Sequence, residues 1–257
     1  MTAVVPARAG VRARATRKLS WKRLLLLPLR PAAEVSVQDS CAAGVLRNGR
    51  VAFSVRGELP MYLASVSKQF TAAAVFRLAE QRKLRLTDPI SARIPELGAA
   101  AAGITIQQLL NHTSGLRDYS ALQEVMGSRE NLDNEGVLRL LTRQRELNFP
   151  PGTDYEYSNS EYVLLGILIE RASGVPLPEF LQREFFGPLG MTHSRFGPGD
   201  GVPRTLGDGG MFSTVDDLLQ WMKRPPGPIA QRGRLQSGET LPHAAGLFWG
   251  RHHGRTT

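Results

Sequence analysis

The longest run of regularly spaced apolar residues begins at Ser65. From this serine to about Leu84 the chain contains neither Gly nor Pro, and apolar side chains recur every three or four positions. They are Val66, Phe70, Ala73, Ala74 and Leu78. This period is that of an α-helix with one buried side. The pattern therefore predicts a helix over residues 65–84, buried on that side.

Strands are predicted near both ends of the chain and helices between them. Residues 42–56 form two short apolar runs around Asn48-Gly49, a dipeptide suited to a tight hairpin turn. Thr105 and Gln108 make a capping box that starts a short helix ending near His112. Further helices are expected at 137–145, 161–172, 179–186 and 215–222, the last capped by Thr214 with Asp217, and a last strand at 247–251. A mostly helical middle between terminal strands predicts an α+β fold without an internal linker.

Composition excludes several classes of protein. The chain has 257 residues, of which 42% are hydrophobic and 21% charged, as in ordinary globular proteins. No apolar run approaches the roughly 18 residues that span a bilayer, so no integral membrane segment is predicted. Cys41 is the only cysteine, so no disulfide can form within the chain.

The net charge of +9 is concentrated at the amino terminus. Residues 1–33 hold eight of the 32 basic residues and no acidic one, which leaves 24 basic against 23 acidic residues in the remainder. The nearly neutral body offers no basic face for nucleic acid. We therefore expect two parts, a disordered arm or decayed signal segment at 1–33 and one domain at 34–257. An alternative is that the arm itself binds nucleic acid or another anionic surface, which predicts salt-sensitive binding lost with residues 1–33.

Ser65 and Lys68 are the first candidate chemical pair. Three residues apart on a helix, they share a face, and the amine can accept the hydroxyl proton. The start of a helix also favours an oxyanion nearby. Burial against apolar surface, for which Phe70 and Tyr157 are candidates, would favour the neutral amine that a base requires. Taken alone, the pair equally fits a capping serine followed by a solvated lysine.

Tyr157 and Asn159 form a second candidate pair. They lie in an extended segment before the helix predicted at 161–172, so both side chains can point the same way. A phenol can relay protons, and a carboxamide can hold a substrate carbonyl or the lysine ammonium. The alternative is a core tyrosine beside residues that cap a helix.

Five ordered blocks of sequence carry a family resemblance. They are residues 62–71 (YLASVSKQFT), 109–116 (LLNHTSGL), 155–160 (YEYSNS) with 162–166 (YVLLG), 188–191 (PLGM) and 209–214 (GGMFST). The chain resembles the serine β-lactamase-related family, which includes class C β-lactamases, D-alanyl-D-alanine carboxypeptidases and esterases. The Ser-x-x-Lys motif is a signature of that superfamily.

The resemblance implies a fold, an activity and residue roles. The fold would be β-lactamase/transpeptidase-like, with an incomplete antiparallel sheet built from the chain ends. The activity would be that of a serine hydrolase on an amide, lactam or ester carbonyl of a small molecule or peptide, in the periplasm or outside the cell. Ser65 would be the acylated nucleophile, Lys68 its proton acceptor, Tyr157 the proton relay and Asn159 a substrate-binding side chain, whereas His112 would be a core histidine.

This chain also departs from the family pattern. A third family motif, Lys-Thr-Gly or His-x-Gly on a central strand, has only residues 252–254 (HHG) as a formal match, directly after a segment that resembles the preceding strand. The connections at 57–61 and 196–206 are short, so we expect a truncated domain. The alternative to a serine hydrolase is a catalytically impaired or non-catalytic homologue that retains only ligand binding. The histidines at 112, 193, 243, 252 and 253 lack the spacing of a metal site, and no metal or cofactor is predicted.

Overall fold

The structure is a computed structural model that describes residues 2–3, 41–197, 202–223, 233–241, 243–248, 251–252 and 255–256. The helices in these ranges are α1 (Lys68–Glu80), α2 (Ile106–Leu110), α3 (Tyr119–Val125), α4 (Asn134–Leu141), α5 (Asn159–Ser173), α6 (Leu177–Leu181), α7 (Gly187–Leu189) and α8 (Val215–Lys223). The strands are β1 (Thr2–Ala3), β2 (Ala43–Arg47), β3 (Arg50–Val55), β4 (Met61–Tyr62), β5 (Arg195–Phe196), β6 (Met211–Ser213), β7 (His243–Ala244), β8 (Leu247–Phe248), β9 (Arg251–His252) and β10 (Arg255–Thr256).

The predicted hairpin at the start of the domain is confirmed. Strands β2 and β3 pair antiparallel, and Asn48 and Gly49 between them have φ angles of 51° and 74°. Positive φ at both turn positions is what a tight hairpin requires. Strand β1 pairs with β2, so its two residues belong to this sheet, whereas the rest of the predicted arm lies outside the described residues.

Helices α1 and α5 pack against each other and form the centre of the core. Helix α5 buries ten of its 15 residues and ends at Gly174, whose φ of 78° is the left-handed conformation of a helix C-cap. Phe70 of α1 is fully buried, with its ring centroid 4.2 Å from that of Trp221. Phe70, a candidate for the apolar surface around Lys68, therefore packs in the core against Trp221.

Most predicted helices are present, but their ends differ from the sequence pattern. Helix α1 begins at Lys68 after a 3-10 turn over Ala64–Ser67, and it ends at Glu80 because Arg82 has a φ of 58°. Helix α4 is shifted toward the amino terminus, because the Asp133 side chain accepts from the Gly136 amide and starts the helix there. The helix predicted at 179–186 is α6 followed by a π-helical turn over Gln182–Phe186.

The remaining strands form small antiparallel sheets. Strand β6 pairs with both β4 and β5, β7 pairs with β8, and β9 pairs with β10. The last strand expected at 247–251 is partly confirmed as β8, since residues 249–250 lie outside the described ranges. Among the helices that the structure describes, none has both the length and the apolarity to cross a bilayer.

The capping box at Thr105 is confirmed and supports a stability prediction. Its hydroxyl accepts from the Gln108 amide at 3.3 Å, and the Gln108 side chain accepts from the Thr105 amide at 2.8 Å. We expect Thr105→Ala to lower the free energy of unfolding by about 1 kcal/mol, as loss of an N-cap does. Urea denaturation checks this value, with Thr87→Ala at an exposed position as the matched control. Equal stability of the two variants would contradict the prediction.

Candidate active site

Ser65 and Lys68 lie where the chain enters α1. Ser65 is exposed in the 3-10 turn, whereas Lys68 is the first residue of α1 and only 1% exposed. The Lys68 Nζ atom lies 3.3 Å from Ser65 Oγ. Ala64, directly before the serine, has a φ of 45°, a conformation that L-residues adopt at a cost. An exposed hydroxyl thus lies against a buried amine at the start of a helix.

Lys68 has two further partners from distant parts of the chain. Its Nζ donates to Asn159 Oδ1 at 2.8 Å and to the carbonyl oxygen of Asp208 at 2.8 Å. These two contacts and the one to Ser65 surround the amine. The lysine is therefore held in one position rather than solvated.

Tyr157 contacts the serine from the other side. Its hydroxyl donates to Ser65 Oγ at 2.8 Å, and its ring centroid lies 5.0 Å from Lys68 Nζ. The structure thus brings together all four residues singled out in the sequence, namely Ser65, Lys68, Tyr157 and Asn159. Their roles in a reaction remain predictions.

Asp208 is a part of the site that the sequence did not reveal. The Asp208 carbonyl binds Lys68, and the Asp208 carboxylate accepts from the Tyr119 hydroxyl at 3.1 Å. Burial raises the pKa of Asp208, while the positive charge of Lys68 acts in the opposite direction. The preceding Gly207 accepts from the Thr71 side chain at 2.7 Å, which ties this segment to α1.

His112 lies fully buried behind Tyr157, in agreement with its interpretation as a core histidine. Its ring centroid lies 4.5 Å from that of Tyr157, and its Nδ1 atom is 2.5 Å from Glu161 Oε2. The other oxygen of Glu161 accepts from the hydroxyl of Ser114 at 2.5 Å. Sequence reasoning missed Glu161, because an acidic residue in the first turn of a helix normally faces solvent.

His243 closes the same side of the site from β7. It is 1% exposed, and its ring centroid lies 4.6 Å from that of His112 and 5.9 Å from that of Tyr157. Burial, together with the charge of Lys68, lowers the pKa of His243 to about 4. A histidine from the carboxy-terminal part of the chain thus borders the site, although only its lack of metal-site spacing had been noted.

The lowered pKa of His243 predicts a pH dependence of stability. Between pH 6.5 and about 4, the unfolded chain binds a proton at this histidine that the folded protein does not bind. Acidification over this range therefore costs stability. We expect His243→Gln to lose less unfolding free energy between pH 7 and 4.5 than the parent protein, as measured by urea denaturation. Equal losses would show that His243 does not contribute.

Two further expectations concerned the HHG motif and metal binding. Of the formal HHG motif, His252 lies in β9, while residues 253 and 254 are outside the described ranges. In the ranges that the structure covers, no group of three His, Cys, Asp or Glu side chains could hold a metal ion.

Comparison with known proteins identifies a matching family and several relatives. The sequence profile of the Beta-lactamase family matches residues 35–255. Penicillin-binding protein 4* of Bacillus subtilis is 37% identical over 135 residues, which cover 52% of this chain and 30% of that protein. The D-aminopeptidase of Brucella anthropi is 30% identical over 220 residues, which cover 70% of this chain and 41% of that protein. The matches thus span less than half the length of either relative.

A solved structure has a similar fold. The penicillin binding protein from Bacillus halodurans superposes with a TM-score of 0.63 at 23% identity, over 79% of this chain and 73% of that one. The fold is therefore β-lactamase/transpeptidase-like, as the sequence blocks implied.

Proposed function

Because this chain belongs to the beta-lactamase family, we propose that it is a serine hydrolase that transfers an acyl group from an amide, lactam or ester to Ser65 and then to water. The observation that carries the proposal is the position of Ser65 Oγ, 2.8 Å from the Tyr157 hydroxyl and 3.3 Å from Lys68 Nζ. An activated serine needs a proton acceptor within this reach.

The contacts of Lys68 suit a base. A neutral amine has two hydrogens and one lone pair, and its two shorter contacts, to Asn159 Oδ1 and the Asp208 carbonyl, take the hydrogens. The lone pair then faces Ser65 Oγ. In this form Lys68 accepts the hydroxyl proton while the serine oxygen forms a bond to the substrate carbonyl carbon, and the carbonyl π electrons move to its oxygen.

The tetrahedral intermediate then collapses. Its oxygen re-forms the carbonyl, the bond to the leaving nitrogen or oxygen breaks, and Tyr157 donates its proton to that leaving atom. Lys68 then gives the proton that it took from Ser65 to Tyr157, so both groups return to their starting forms. The amides at the start of the helical segment favour the negative oxygen, and Asn159 orients the substrate.

Hydrolysis of the acyl-enzyme reverses these transfers. A water molecule loses a proton to the neutral Lys68 amine as its oxygen bonds to the acyl carbon, and Lys68 passes this proton to Ser65 Oγ as the bond between that oxygen and the acyl carbon breaks. No metal or cofactor takes part. The names of the relatives, a D-aminopeptidase and a penicillin-binding protein, favour an amide or lactam of a small molecule or peptide as substrate.

Covalent labelling tests the proposal. The protein is incubated with a fluorescent penicillin and, separately, with an activated ester probe, and its intact mass is measured. We expect a mass increase of one acyl group, located by peptide mapping on the peptide that contains Ser65. Folded protein without an adduct would instead support the alternative, a catalytically impaired homologue that only binds ligands.

A further inference from the structure

His112 holds the segment that carries Tyr157 at two points. The backbone amide of Glu156 donates to the His112 carbonyl at 3.0 Å, and the amide of Ser158 donates to His112 Nδ1 at 3.3 Å. Tyr157 lies between these two bonds, with its ring packed on the imidazole. Of these two bonds, the one from Ser158 depends on which His112 nitrogen carries a proton.

The contact from Ser158 determines this tautomer. A backbone N–H can only donate, so His112 Nδ1 needs a lone pair facing it, since two N–H groups would otherwise face each other. The 2.5 Å contact between the same Nδ1 and Glu161 Oε2 must then have its proton on Glu161. The Ser114 hydroxyl and amide both donate to Oε1, as suits the carbonyl oxygen of a neutral acid.

The surroundings also favour a neutral pair. His112 Nε2 is buried and has no hydrogen-bond partner among the described residues, so it carries an unpaired N–H in either form, and that N–H costs less when the ring is neutral than when it is an imidazolium. Burial raises the pKa of Glu161 well above its ordinary value and lowers that of His112 well below its own. A positive charge on His243 or on Lys68 lowers the pKa of His112 further.

We propose that Glu161 is a neutral carboxylic acid that donates its proton to Nδ1 of His112, and that it thereby positions Tyr157 against Ser65. Glu161 is a positioning residue, because it reaches the reacting atoms only through His112 and Tyr157. The consequence for acylation rests on the proposed function, whereas the position of the proton does not.

Two substitutions of similar size separate the proposal from a purely structural role. In Glu161→Gln the amide N–H can replace the acid as donor to His112, while the amide oxygen still accepts from Ser114. Glu161→Met fills the space without a donor. We expect Glu161→Gln to acylate within about 3-fold of the parent and Glu161→Met to be roughly 10- to 100-fold slower, as misplacement by about 1 Å costs up to this order. Equal loss in both variants would overturn the proposal.

Nitrogen NMR of the histidines in the full chain gives a readout independent of turnover. We expect an unprotonated Nδ1 and a protonated Nε2 for His112 in the parent and in Glu161→Gln, and a shift of the Tyr157 ring signals only in Glu161→Met. A protonated Nδ1 in the parent would overturn the proposal. If the parent protein is not acylated, the proposed function fails, while these signals still decide the position of the proton and its effect on Tyr157.

Discussion

The Ser65→Ala variant is expected to acquire no adduct from either acylating probe. We expect Lys68→Met to be labelled about 10²–10⁴-fold more slowly than the parent protein, because this is the usual contribution of a positioned base. Alanine removes the hydroxyl oxygen that contacts both Tyr157 and Lys68. Methionine keeps most of the buried volume but cannot accept a proton. The measurements are intact mass at saturation for the first variant and the labelling rate for the second.

Ser67 provides the control for this experiment. It lies in the same 3-10 turn and is buried, and its hydroxyl has no hydrogen-bond partner among the described residues. Ser67→Ala should therefore be labelled at close to the parent rate. Labelling of Ser65→Ala at the parent rate would place the reactive group elsewhere. Because methionine leaves Asn159 Oδ1 and the Asp208 carbonyl without a donor, the thermal unfolding of Lys68→Met must also be measured.

The Gly207→Ala variant should lose both stability and reactivity. Gly207 has a φ of 107°, and a Cβ atom there would lie 2.3 Å from the carbonyl oxygen of Tyr162. Backbone strain costs about 1–3 kcal/mol, and overpacking costs a similar amount. We expect a loss of about 2–6 kcal/mol in unfolding free energy. Because residue 208 would move with its neighbour, the Asp208 carbonyl should also leave Lys68 and labelling should slow.

Gly103 offers a matched comparison. A Cβ atom at this position would meet nothing within 4 Å, and its φ is not in the left-handed range. Gly103→Ala should be neutral or more stable by about 0.4–1 kcal/mol, because alanine restricts the unfolded chain. Urea denaturation of both variants, with their m-values compared, measures the difference in stability. Similar stability of Gly207→Ala and Gly103→Ala would contradict the strain argument.

Local signals account for the parts of the fold that could be predicted. The Asn48-Gly49 turn, the Thr105 capping box and Gly174 after α5 each depend on residues within a few positions, and the structure has all three. The end of α1 at Glu80 could not be predicted in this way, because no Gly or Pro marks it. Helix α3 was missed, although Asp118 caps it through the amides of Ser120 and Ala121.

The residues of the site also fall into those that the sequence predicted and those that it did not. Ser65, Lys68, Tyr157 and Asn159 were found because they lie in short motifs that resemble a family. Asp208, Glu161 and His243 belong to the same cluster through tertiary packing, which short-range patterns do not encode. Asp208 contacts Lys68 through its backbone carbonyl, an atom that every residue has. His243 enters from a strand that begins 84 positions after Asn159, so only the folded chain brings it to Tyr157.

The contacts of Lys68 also have a consequence for the time course of folding. Its partners Asn159 and Asp208 are 91 and 140 positions away along the chain. Loops of this length close late and slowly compared with the formation of α1, which needs only local contacts. Helical content during refolding should therefore rise before Ser65 can react. A probe that labels Ser65 would count only those molecules that have completed long-range assembly, which no measurement of secondary structure can do.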